Sequence, residues 1–173
     1  VLVGACGTSF WQLSYLYQGI LRFGDRPLPG PPASSDFNTA FWRSCAGPVW
    51  VAVNLDSNTA SPEVWEWTGG TWRSLGAPPD FVKALYGVES GALWAVGMRD
   101  WSNDKPKGEA DTVLRYEQGK WSRLPTPPGF TAHSIVGVGP EQVWFLGKRQ
   151  ATRWTPGGYD LRALPFDDVT ATW

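Results

Sequence analysis

The sequence holds one histidine, two cysteines and a few scattered aspartates that could do chemistry. A Ser–His–Asp arrangement would have to pass through His133. That residue opens "HSIVGVG", which reads as a strand, where a packed or hydrogen-bonded imidazole is the commoner outcome. Asp167 and Asp168 are neighbours on the approach to a strand, so their side chains would face opposite ways and make a poor acid/base pair. Asp100, Asn103 and Asp104 offer oxygens to a cation but lack the spacing and the glycine of an EF-hand loop. "YGVESG" and "VGVGP" are turns with no helix after them, so they cannot cradle a phosphate. Cys6 and Cys45 are too few for a disulfide framework and lack metal-site spacing. These residues point to no catalytic set, no metal and no cofactor.

A different kind of candidate lies in two segments. "ACGTSFWQLSYLYQG" carries Phe10, Trp11, Tyr15 and Tyr17, four aromatics within eight residues. "GMRDWSNDKPKGEAD" carries Arg99, Asp100, Trp101 and Asn103, a mixed polar cluster around one indole. Aromatics grouped this way suit a protein contact patch or a stacking platform for sugars. A loop folded back on the body, burying its own rings, is the structural alternative.

The elements that must position these segments come from an internal repeat. "VLVGAC", "VWVAVN", "LWAVGM" and "VWFLGK" align on Gly4, Val53, Gly97 and Gly147. That is a period of about 45–50 residues, the length of a propeller blade built from short strands. Each phrase is followed by a polar loop and then by a second strand: "GILRF", "EVWEW", "TVLRY" or "ATRW". "TGGTW", "EQGKW" and "PGGYD" then supply hairpin tips, where glycine tolerates the positive φ that tight hairpins need. "PLPGPP", "SLGAPP", "RLPTPP" and "ALP" come next, and proline marks a sheet edge and the passage onward. Each passage leads to Phe37, Phe81, Phe130 or Phe166, and the first three precede the next apolar phrase by 12 or 13 residues (49−37, 93−81, 143−130).

The pattern predicts an all-β chain, a β-propeller of four-stranded antiparallel blades in a single domain, 1–173. The blades are expected near 1–30, 37–75, 81–124 and 130–164. "VLVGAC" takes the slot of "LWAVGM", with Val1 where Trp94 stands, so it reads as a strand and not as a lipid-anchoring signal. On that register the chain begins with the second strand of a blade, and a lone first strand near 167–173 closes the ring. The other readings are an arc of a larger propeller and a half-ring completed by another copy. Cys6 and Cys45 are then expected at opposite ends of adjacent strands, too far apart to bridge, as two free thiols. Trp50, Trp94 and Trp144 share one strand position, and Trp72 and Trp121 another, which points to packing between blades.

The phrase "ALWAVGM…TVLRYEQGKWSRL" resembles bacterial β-propeller repeats of the "VWAVG…W" type, found in many exported or surface-associated proteins. More distantly, the Trp- and Gly-rich hairpins are similar to the tachylectin and fucose-lectin propellers. Those bind sugars through a residue set repeated in each blade, and no polar residue recurs in all four copies here. The resemblance implies the architecture and an extracytoplasmic setting (secreted, periplasmic or cell surface).

Composition narrows the partners. A net charge of -1 argues against nucleic acid, and no apolar run reaches the length of about 18 residues that a membrane span needs. The expectation is a non-catalytic interaction module that holds another protein at its irregular loop face. Phe10, Trp11, Tyr15, Tyr17, Arg99, Asp100, Trp101 and Asn103 would form the contact. A carbohydrate-binding lectin is the second reading and part of a propeller enzyme the third. A homo-oligomer follows if another copy completes the ring.

Overall fold

A computed structural model of the chain describes residues 2–6, 9–13, 21–23, 26–32, 38–43, 47–53, 62–88, 91–98, 112–139, 142–155 and 157–165. Among these residues there are only strands, turns and extended links. They form four sheets, each of four consecutive antiparallel strands. The first contains β1 (Leu2–Cys6), β2 (Ser9–Leu13), β3 (Leu21–Phe23) and β4 (Arg26–Leu28). The second contains β5 (Asn38–Arg43), β6 (Val49–Val53), β7 (Glu63–Trp67) and β8 (Trp72–Ser74). The third contains β9 (Phe81–Gly87), β10 (Leu93–Met98), β11 (Thr112–Glu117) and β12 (Lys120–Leu124). The fourth contains β13 (Ala132–Gly137), β14 (Val143–Gly147), β15 (Gln150–Thr155) and β16 (Gly158–Ala163).

The first sheet corrects the expected register. "VLVGAC" is the first strand of its sheet, not the second, because Leu2–Cys6 pairs with Ser9–Leu13 and that strand pairs onward with β3. An apolar stretch reads the same in either place. Its pairing partner decides, and "SFWQL" follows after only Gly7 and Thr8, a spacing that suits a two-residue hairpin with glycine first. Among the described residues the first sheet thus runs β1-β2-β3-β4, with "VLVGAC" at its edge. The proposed closing strand at 167–173 lies outside the described residues, as do Asp167, Asp168 and Cys45.

The hairpin tips follow their sequence signals. Gln118 and Gly119, between β11 and β12, have φ of 52° and 81°, so both central residues are left-handed, as a type I′ turn requires. Gly69 takes the same region at the β7–β8 tip, with φ 93°.

The sheets pack face against face in chain order. In β6, Trp50 and Ala52 join a core with Val82, Leu85, Leu93, Ala95 and Leu114 of the third sheet. Val49, Val51 and Val53 project the other way and pack with Leu28 of the first sheet. In β10, Leu93 and Ala95 face the second sheet, while Trp94 and Val96 meet Ile135, Val143 and Phe145 of the fourth. Both faces of these central strands are buried, which explains their nearly continuous apolar sequence.

A repeated hydrogen bond steps from sheet to sheet. The Trp72 indole N–H donates to the Pro29 carbonyl at 2.7 Å, and the Trp121 indole N–H donates to the Leu75 carbonyl at 3.1 Å. In both cases the acceptor is the residue just beyond the fourth strand of the preceding sheet. The same indole-to-carbonyl contact thus links the first sheet to the second and the second to the third.

Candidate functional site

Each sheet joins its second and third strands at one edge, and these joins differ in length. They are residues 14–20, 54–62, 99–111 and 148–149. In the last three sheets this edge is shared. Trp50 near the start of β6 lies against Gly87, which pairs with Leu93 at the start of β10. Tyr86, opposite Trp94, lies against Gly137, which pairs with Val143 at the start of β14. The starts of β6, β10 and β14 are therefore adjacent, and their ends lead into the joins on the opposite side.

The edge carries a second repeated device. The pairing of first and second strands shifts register once in each of these sheets, skipping Thr39, Lys83 and His133. Such bulges re-aim side chains and bend the strand locally. Equivalent positions next to the joins thus hold Thr39, Lys83 and His133. Burial holds the Lys83 ammonium below its ordinary pKa, because the charged form is the one that loses hydration. Sequence reasoning placed His133 on a first strand but had no means of finding the bulge.

The longest join by sequence, 99–111, is flanked by buried residues. Met98 and Thr112, which flank it, are buried, as is Asp80 beside them. Both oxygens of the Asp80 carboxylate accept from Arg123, at 2.6 and 2.8 Å, and Arg123 also donates to the Pro79 carbonyl at 3.0 Å. A β-carbon on Gly97 would stand 2.7 Å from the Thr112 hydroxyl oxygen and 3.0 Å from the Phe81 carbonyl, so this backbone approach requires glycine. The signal for this buried flank was "PPDF", where Asp80 precedes the strand-opening Phe81, and sequence reasoning missed it.

The sequence-derived site residues divide into two groups. Phe10 and Trp11, expected in the first join, lie inside β2, paired with Ala5 and Gly4. Their backbones thus belong to the strand that precedes the join and not to the join itself. The early Gly7–Thr8 link is the reason, because it shortens the first join to 14–20. Tyr15 and Tyr17 fall within that join by sequence, and Arg99, Asp100, Trp101 and Asn103 fall within 99–111. All six lie outside the described residues. The thiol expectation also does, since Cys45 lies there and only the backbone of Cys6 is described.

Among the described residues no group of three or more His, Cys, Asp and Glu side chains could hold a metal ion, and no helix is long and apolar enough to cross a membrane. Comparison with protein-family models finds no match, and no curated protein matches the chain.

Proposed function

We propose that the four sheets are blades of a β-propeller and that the chain is a non-catalytic interaction module. It holds another protein at the edge where the second and third strands are joined. One observation carries this reading: residues 99–111 join two strands whose flanking ends, Met98 and Thr112, are buried, while the equivalent join in the next sheet is only 148–149. A regular scaffold with one long, chemically mixed insertion is how rigid repeat folds usually present a binding segment. On this reading Trp101 is its aromatic anchor, with Arg99, Asp100 and Asn103 beside it in sequence. Tyr15 and Tyr17 occupy the corresponding join of the first sheet. An exported or surface setting belongs to the same reading, since the blade phrase resembles repeats found there.

The test is to immobilise the whole chain and compare capture of proteins from a surface extract with capture by Trp101→Ala and Arg99→Ala. Loss of one specific protein in both variants, with an unchanged melting temperature, is the expected result. Capture that is indifferent to both substitutions removes the 99–111 join as the site. Binding on a glycan array with no protein captured replaces this reading with the lectin.

A further inference from the structure

Lys83 and His133 belong to neither apolar face of their strands. In β9, Val82 and Leu85 pack toward the second sheet, while Ala84 and Tyr86 pack toward the fourth. A regular strand alternates its side chains between two faces. Val82 and Leu85 are three apart and share a face because the register shift inserts an extra residue between them. Lys83 is that residue, and neither core holds it. β13 repeats the arrangement. Ala132 and Ile135 both pack toward the third sheet, and the shift between Ala132 and Ser134 leaves His133 outside the core. In β5 the shift between Asn38 and Ala40 gives Thr39 the same register position.

These positions converge. β5, β9 and β13 are each the terminal strand of their sheet, and β9 packs against both β5 and β13. A residue outside both faces of a terminal strand is left at that strand's open edge, and Lys83 and His133 are each half-buried there. Sheets stacked face to face lie about 10 Å apart, a gap that one small ion can bridge between an ammonium and an imidazole N–H. Both residues stand at the same end of their sheets. Val82, beside Lys83, pairs with Gly97, and Ala132, beside His133, pairs with Gly147. Gly97 and Gly147 close the second strands and lead toward the joins.

We propose that Lys83 and His133 form a binding site for a small oxyanion, the carboxylate or phosphate group of a low-molecular-weight ligand, at the open edges of β9 and β13. The ammonium supplies the positive charge and the imidazole a directed N–H. Burial already strips water from the Lys83 ammonium and lowers its pKa, and an anion beside it replaces the lost hydration. The carboxylate nearest to Lys83 in the sequence, Asp80, has both oxygens committed to Arg123. A lysine at an open strand edge also guards against pairing with another chain. That role does not account for an imidazole at the equivalent position of the next sheet. The site is separate from the 99–111 join and does not depend on the protein partner proposed for it.

His133 is the one histidine of the chain, so a single imidazole Cε1–H resonance in the proton NMR spectrum reports on the site. The whole chain is titrated at fixed pH and ionic strength with sodium succinate and, separately, with inorganic phosphate, with sodium chloride as reference. The expected result is a saturable shift of that resonance with at least one of the two oxyanions and none with chloride. Whichever ion saturates at the lower concentration tells a carboxylate ligand from a phosphate one. Lys83→Met is expected to weaken binding about tenfold or more, as for the loss of a hydrogen bond to a charged group. Lys120→Met removes the same charge at the exposed start of β12 and is expected to leave binding unchanged. His133→Gln, followed by calorimetry, gives a second variant and is expected to weaken binding as well. No saturable shift with either oxyanion overturns the proposal and leaves Lys83 as an edge guard. A shift that chloride reproduces, or binding that survives both Lys83→Met and His133→Gln, overturns it equally.

Discussion

Gly87→Ala is a sharp test of how the sheets are held together. Gly87 ends β9, and a β-carbon there would lie 2.7 Å from two atoms of the Trp50 ring and closer still to a third. That ring is 1% exposed, and its N–H donates to a Glu66 carboxylate oxygen at 3.1 Å. Glu66 is itself buried and also accepts from the Arg73 Nε–H at 2.9 Å. The indole therefore cannot withdraw without straining its packing or losing a hydrogen bond to a charged group. Overpacking costs about 1–3 kcal/mol, and a hydrogen bond to a charged acceptor contributes about 1.5–3 kcal/mol. Alanine recovers about 0.5–1 kcal/mol through the lower entropy of its unfolded chain. The net expectation is a loss of about 2–4 kcal/mol, or roughly 5–15 °C in melting temperature for a chain of this size. The assay is urea unfolding followed by tryptophan fluorescence, with Gly139→Ala as control because nothing lies within 4 Å of a β-carbon there. Trp50→Leu combined with Gly87→Ala is expected to cost less than the sum of the two single changes. Equal stability of the Gly87 and Gly139 variants would refute the reasoning.

Two further outcomes follow from buried polar groups. The Tyr159 hydroxyl is buried without a hydrogen-bond partner, so Tyr159→Phe is expected to raise stability by up to about 1 kcal/mol. Burial pushes the Tyr159 pKa up to about 12 from 10.0, so the folded state favours the neutral phenol. Its contribution is whole below pH 10 and is lost as the pH rises toward 12, and denaturant titrations across that window should show a shallower loss in the Phe variant. Arg123→Ala leaves the fully buried Asp80 carboxylate without its ion pair and is expected to cost about 3 kcal/mol. Removing both partners should cost less than removing Arg123 alone, which a double-mutant cycle by urea unfolding would check.

Local signals in this chain are written in the sequence because they need only neighbouring residues. The Gln118–Gly119 tip and the recurring short apolar strands such as "VWVAV" and "LWAVGM" are of this kind, and both appear in the structure. The recurrence of Trp50 and Trp94 in one strand position likewise announced burial between sheets. What lay beyond the sequence depended on pairing. "VLVGAC" is apolar enough for a first or a second strand, and only its ladder with Ser9–Leu13 decides between them. That decision moved Phe10 and Trp11 from a join into β2. The bulges that skip Lys83 and His133 arise from a register shift, which no single strand records. Trp144 looks like Trp50 and Trp94 in sequence, yet it is half-buried where they are buried, because burial depends on what packs against a face and not on the residue alone. A strand's pattern shows that a face must be covered, and only the tertiary arrangement shows whether it is.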